Sequence, residues 1–203
     1  MNMQFRFMLT AAVLAWAPAH ATDYRFDTTH SQIFFCVSHL GFSNPCGRMH
    51  VKSGFIHFDA DQWAQAKVDV VIDTASLDMG DAKWDAMLRS WQFLETNKYP
   101  TARYVSTAIE KNGERSAIVH GMLTLRGVTR PVGLHVDFHR AGLDPYDLRY
   151  TAGFSATAAL KRSDFSIKKY LPDIGDVVSI RIEVEGLRDK DAQAHAAPQD
   201  LGP

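Results

Sequence analysis

Three groups of side chains have the types and spacing that chemistry would need. Asp27, His30 and Ser31 lie within five positions and carry the acid, base and hydroxyl of a hydrolytic triad. A triad is defined by geometry, however, and no oxyanion donor can be named beside these residues. Gly153-Phe154-Ser155-Ala156 has half of a nucleophile elbow. It lacks the second glycine and sits mid-strand with no helix to follow. His135, Asp137 and His139 share one face of a strand, where neighbouring positions can give two ligands to one ion. That face opposes the apolar one, so the three should point to solvent, and neither a third ligand nor a closed geometry is visible. The expectation is therefore no catalysis and no functional metal, with the histidines hydrogen-bonded as structural groups. Gly-rich phosphate loops are missing as well.

Cys36 and Cys46 are ten residues apart and flank VSHLGFSNP, which contains Gly41 and Asn44-Pro45 and reads as a turn between strands. Two readings stay open: a disulfide closing that turn, or one half-buried and one loop cysteine, both reduced. No CxxC is present, so neither a thioredoxin-like site nor a zinc site of that kind is indicated.

The N-terminus looks like an address. Met1 to Phe7 carries Arg6 and no acid, Phe7 to Trp16 is a short apolar run, and Ala19-His20-Ala21 supplies small-x-small. The run is far below the ~20 residues of a membrane-spanning helix. Residues 1–21 are read as a cleavable signal peptide that sends a soluble protein to the periplasm. Its removal takes away Arg6 and leaves 21 basic against 23 acidic residues, a net charge of −2. Such a balance offers no electrostatic footprint for nucleic acid and no polybasic patch for anionic lipid. One domain is expected over 22–187, followed by a polar, aperiodic tail, 188–203, read as disordered.

Between these ends the chain reads as strands. Ile33, Phe35 and Val37 alternate with Phe34, Cys36 and Ser38; Val68, Val70 and Ile72 alternate with Asp69, Val71 and Asp73. Val132, Leu134, Val136 and Phe138 oppose Gly133, His135, Asp137 and His139, and Val178, Ile180, Ile182 and Val184 oppose Ser179, Arg181, Glu183 and Glu185. About eight such strands are separated by turn signals, with no crossover helices, so the sheet is expected to be antiparallel. Several strands span ten residues or more, which favours a tilted, closed barrel. One helix stands out from Asp81 to Trp91, where Trp84, Met87, Leu88 and Trp91 fall at helical spacing. Phe93, Leu94 and Tyr99 follow in what reads as a polar loop. The fold class is thus all-β: an eight-stranded antiparallel barrel with the helix capping one mouth, Trp84, Leu88 and Trp91 facing inward.

Ordered blocks along this barrel carry a resemblance. They begin at Tyr24-Arg25-Phe26-Asp27 and His30-Ser31 and continue through Phe35-Cys36-Val37-Ser38-His39-Leu40-Gly41, Gly54 and Phe58-Asp59. Leu88-Arg89-Ser90-Trp91-Gln92-Phe93-Leu94, with Lys98-Tyr99-Pro100 behind it, is the most specific block. Gly121 to Val132, Arg162-Ser163-Asp164-Phe165, Gly175-Asp176 and Val184-Glu185-Gly186 complete the set. The chain resembles the YceI-like family of periplasmic polyisoprenoid-binding proteins with a lipocalin-like barrel, over nearly all of the mature domain. The resemblance implies a long-chain isoprenoid, quinone or similar apolar lipid held inside the barrel, no catalysis and no cofactor beyond that ligand. Burying such a tail at ~0.8 kcal/mol per methylene makes release into water slow, so transient contact with a membrane or membrane protein is expected at delivery; the oligomeric state, a dimer included, stays open. Two features depart from the family's pattern: the two cysteines Cys36 and Cys46, and Trp91, which stands where the family usually has a small residue and would narrow the cavity. Alternation, helix face and resemblance together assign the lining to Ile33, Phe35, Val37, Met87, Leu88, Trp91, Phe93, Tyr104, Leu123, Phe154, Phe165 and Ile180. The alternative is an envelope protein-interaction or stress-response module without a dedicated lipid, for which a filled interior would speak.

Overall fold

The computed structural model describes residues 21–196. The expected signal peptide lies outside the described residues except for Ala21. Nine strands are formed in chain order: β1 Thr22–Phe26, β2 Gln32–His39, β3 Cys46–Phe58, β4 Lys67–Asp78, β5 Thr101–Lys111, β6 Ser116–Leu125, β7 Val128–Leu143, β8 Tyr150–Lys161 and β9 Ile174–Arg188. From β2 to β9 each strand pairs antiparallel with the next, and β9 pairs back onto β2. The result is a closed eight-stranded antiparallel barrel, which leaves no unpaired sheet edge.

The additional strand, β1, does not widen the barrel. It pairs with the later part of β3, Tyr24 opposite Ile56, and of β9, Tyr24 opposite Arg188. β2 pairs with the earlier parts of the same two strands, Ile33 opposite Met49 and Ile182. β1 and β2 are thus two halves of one stave, broken at Asp27–Ser31. The break leaves the backbone of Glu185 facing a gap, and those residues fill it. The Asp27 amide donates to the Glu185 carbonyl at 2.8 Å, and the Ser31 hydroxyl accepts from the Glu185 amide at 3.2 Å. Without these bonds Glu185 would leave a strand donor and acceptor without their ladder partners.

Bulges set which residues face inward. Along β3 the inward set changes from Met49 and Val51 to Ile56 and Phe58, a shift of parity that the irregularity between Val51 and Ser53 produces. Close by, Gly54 sits at φ +144°, and a Cβ there would lie 2.3 Å from the Asp69 carbonyl of β4. Only glycine lets the two backbones approach this closely.

The disulfide reading is realised. Cys36 and Cys46 are directly opposite in the β2–β3 register and are bonded to each other. The helix is corrected. α1 runs Ala82–Arg89, capped by the Asp81 carboxylate, which accepts from the amides of Lys83 and Trp84 at 3.0 and 2.9 Å. It stops at Arg89 because Ser90 turns extended, and the chain then doubles back to bury Phe93 and Leu94. Burying these two side chains outweighs one further turn that would carry Trp91. No residue of α1 is buried, Met87 is 38 % exposed and Trp91 is 71 % exposed. The inward-facing cap is therefore not α1 but the segment after it.

The tail is corrected as well. A short helix, α2 Ala192–His195, follows β9 and buries Ala192 completely. The Gln193 amide donates to both Asp23 carboxylate oxygens at 3.0 and 2.8 Å, which docks this segment on β1. Residues 189–196 thus have a defined place against β1, and the rest of the expected disordered tail lies outside the described residues. No described helix is long and apolar enough to cross a membrane.

Candidate functional site

The inward residues of the eight staves do not fill the barrel. They enclose a cavity of about 200 Å³ that runs from Trp63 and Ala66 at one end to Leu125 and Leu160 at the other. Its wall is contributed by every stave: Phe26, Ile33 and Phe35 from the broken one, Met49, Val51, Ile56 and Phe58 from β3, and Val68, Val70 and Ile72 from β4. Ala102, Tyr104, Ile109, Val119 and Leu123 come from β5 and β6, Val132, Leu134 and Val136 from β7, and Phe154, Ala156, Ala158, Ile180, Ile182 and Val184 from β8 and β9.

The chemistry of this wall is hydrocarbon. Besides Ser155 and the Trp63 indole, the polar side chain in the wall is Tyr104, whose hydroxyl is spent within it, 2.9 Å from the Val119 carbonyl and 3.2 Å from that of Val132. Tyr104 reaches them because Gly121 leaves its path clear: a Cβ there would meet Tyr104 Cζ at 2.3 Å. Burial holds the Tyr104 hydroxyl far above the ordinary phenol range, so it remains neutral. Water in such a space would find no partners, and an apolar void of ~150 Å³ is known to stay dry and to take up small hydrocarbons. At ~24 cal/mol per Å³, an empty void of about 200 Å³ costs about 5 kcal/mol. That is a large fraction of the ~5–15 kcal/mol stability of a typical domain.

The two ends are closed differently. At the Trp63 end, Phe58 packs at 5.1 Å from Trp63 and 5.0 Å from both Phe138 and Phe154, an aromatic plug. At the opposite end two segments cover the barrel: residues 90–96, which bury Phe93 and Leu94, and residues 162–170, which bury Phe165 and Ile167. Arg162 holds the second segment. Buried itself, it donates to the carbonyls of Gly175, Ile167, Lys169 and Ile174 at 2.8, 3.0, 2.9 and 2.8 Å. Burial lowers its pKa, which the charge of Asp176 partly offsets. Arg126, at the β6–β7 turn, ties the segments together by donating to the carbonyls of Ser166 and Trp91, each at 2.8 Å.

The sequence-derived lining residues divide between these places. Ile33, Phe35, Tyr104, Leu123, Phe154 and Ile180 lie on the cavity wall. Val37 is half-buried beyond the wall, opposite Val178 near the covered end. Phe93 and Phe165 are buried in the cover, and Leu88 is half-buried against it. Met87 and Trp91 face solvent, so the Trp91 indole does not narrow the cavity. Sequence reasoning missed Trp63, which follows an acidic turn and belongs to no alternating run. It also missed Val51 and Ala158, whose strands it had found without assigning them to the wall.

The possible reactive groups are accounted for by the fold. His30 Nδ1 lies 3.1 Å from Asp27 Oδ2, which raises the His30 pKa through that hydrogen bond and charge. Burial opposes ionisation of Asp27, yet the bonds from His30 and from the amides of Thr29 and His30 hold its carboxyl below the usual range. Ser31 completes no triad, because its hydroxyl is engaged by the Glu185 backbone. Ser155 sits within β8 opposite Asp137 and Glu183, and the strand continues past it to Lys161, so it stands on no strand-to-helix turn. His135, Asp137 and His139 are exposed, and among the described residues they do not converge on a common point, whereas Asp27, His30 and Glu185 do.

The comparisons agree with this architecture. The profile of the YceI-like domain matches residues 24–186. A UPF0312 protein of Shewanella baltica is 38% identical over 186 residues, covering 91% of this chain and 97% of the relative. Burkholderia cenocepacia BcnA has a crystal structure that superposes with a TM-score of 0.70 at 24% identity, over 79% of this chain and 98% of that one. The structure of a polyisoprenoid-binding domain from Saccharophagus degradans superposes with a TM-score of 0.63 at 19% identity, over 84% of this chain and 100% of that one. By profile, sequence identity and fold, the chain belongs to the YceI-like domain family.

Proposed function

We propose that this protein is a non-catalytic periplasmic carrier that holds a long-chain polyisoprenoid, or a quinone or similar lipid with such a tail, inside the barrel. The observation that carries the reading is the continuous, almost wholly hydrocarbon wall, in which the Tyr104 hydroxyl is already bonded. Such a wall selects for a tail and offers nothing to a polar head. A cavity rather than a filled interior speaks against a module that works without a ligand. The family relative described as a polyisoprenoid-binding domain supports the same class of ligand. Export is supported by the leader-like residues 1–21 and by the Cys36–Cys46 disulfide, a bond that persists in oxidising compartments.

Energetics fit a carrier. At ~0.8 kcal/mol per buried methylene, even ten methylenes give ~8 kcal/mol before ordering costs. Release into water is then slow, and transfer to an acceptor surface is the natural exit.

Trp63 lies in the wall and gives a built-in reporter. Delipidated protein titrated with a polyprenyl quinone is expected to lose Trp63 emission saturably at one quinone per chain. The same quinone head without its tail should produce no saturable quenching. Equal quenching by both, or none by the tailed quinone, would remove the cavity as the binding site.

A further inference from the structure

We infer that the covered end of the barrel, opposite the Trp63 plug, is a docking face for an anionic lipid bilayer. Three segments of chain meet at this end, and each turns large apolar side chains to solvent. The β2–β3 turn presents Leu40 and Phe42, the α1 segment presents Met87 and Trp91, and the segment before β9 presents Tyr170. They form one rim. The Leu40 amide donates to the Asp173 carbonyl at 2.9 Å, Phe93 stacks 6.2 Å from Tyr170, and the His39 and Trp84 rings are 6.3 Å apart. Phe42 is 88 % exposed and Trp91 71 %. No packing requirement of the barrel keeps them there.

The net charge of −2 left after residues 1–21 gives no basic patch by composition, but its division between the two ends identifies the occupant. The segments joining strands at this end (40–45, 79–100, 126–127 and 162–173) carry seven lysines and arginines against five carboxylates. At the plugged end, 59–66, 112–115, 144–149 and 189–196 carry three against seven. Of the five carboxylates at the covered end, Asp85 and Glu95 face Arg89 and Arg126, Asp81 caps α1, and Asp164 and Asp173 lie in the segment that carries Lys168 and Lys169. Lys83, Lys98, Lys168 and Lys169 are exposed and have no carboxylate within 4.0 Å among the described residues. Amphipathic aromatic rings beside free lysines are what an anionic headgroup layer takes up, the rings at the interface and the ammonium groups on phosphate. The plugged end also exposes Leu143, Tyr146 and Leu148, but beside Asp144 and the Asp147–Arg149 pair, in segments whose excess of carboxylates such a surface repels. Docking by the covered end sets the segments tied by Arg126 against the membrane, where a tail leaving the cavity would pass directly into lipid.

The inference rests on the carrier reading for its purpose, but its test does not need an occupied cavity. Flotation of the protein with vesicles of phosphatidylcholine mixed with phosphatidylglycerol, and with phosphatidylcholine alone, reads docking directly. Recruitment is expected only by the anionic vesicles, weakening with salt and accompanied by a blue shift that Trp91→Phe removes. Lys168→Glu with Lys169→Glu should lower partitioning at least about tenfold, and Phe42→Asp should lower it as well, while Tyr146→Asp leaves it unchanged. Equal flotation with both vesicle types overturns the inference, as does loss of flotation in the Tyr146 variant instead. Absence of recruitment, with Phe42→Asp converting a dimer to a monomer in light scattering, would assign the face to a second copy of the chain. A protein that floats normally yet binds no quinone leaves the docking face standing and removes the carrier.

Discussion

Ala158→Trp is expected to abolish ligand uptake while the barrel stays folded. Ala158 lies on β8 opposite Ile180 of β9, midway along the cavity, and both line it. An indole at that point occupies space that a tail must pass through. Displacing about five methylenes at ~0.8 kcal/mol each removes ~4 kcal/mol of binding, roughly a thousandfold in affinity. Overpacking a dense core costs ~1–3 kcal/mol, but here the new ring enters a void. Thermal stability should therefore be unchanged or raised. Trp63 quenching by the polyprenyl quinone together with a melting curve checks both halves. Full binding in a folded variant would put the ligand elsewhere, and Trp91→Ala, outside the wall, should change neither quantity.

The largest effect on stability is expected at Gly54. An alanine Cβ would lie 2.3 Å from the Asp69 carbonyl and 2.8 Å from Val70 Cα, both β4 backbone, at a φ of +144°. Backbone strain of ~1–3 kcal/mol adds to ~1–3 kcal/mol for displacing a packed strand. Gly54→Ala should thus lose about 4 kcal/mol in urea denaturation, most of the margin of a typical domain. Gly153→Ala is the internal comparison. Its Cβ would have its nearest neighbour at 3.9 Å, an ordinary contact, so the midpoint should barely move. Equal behaviour of the two variants would contradict the close β3–β4 approach.

Period-two alternation made the barrel legible, because a stave with one face inward must repeat every second residue. It placed Ile33, Phe35, Leu123, Phe154 and Ile180 on the wall for that reason. Alternation is blind where a bulge shifts parity, as between Val51 and Ile56. β1 escaped because five residues offer too few repeats to register. The disulfide needed the register that sets Cys36 opposite Cys46, which spacing alone does not supply. The helix misled for a physical reason. Trp84, Met87, Leu88 and Trp91 have the spacing of a core-facing stripe, yet here the stripe lies at a rim and turns partly outward. Sequence pattern marks an apolar face without saying whether protein or lipid covers it. Asp27, His30 and Ser31 have the residue types of a triad for a structural reason that the sequence does not show, since a broken stave needs polar groups to bond the Glu185 backbone.

Native mass spectrometry of the protein purified from its native source, followed by organic extraction, bears most directly on the apolar cavity. The expected result is one apolar molecule per chain, recovered intact in the organic phase and absent from Ala158→Trp. The bare polypeptide mass in every preparation, with nothing in the extract, would contradict the carrier.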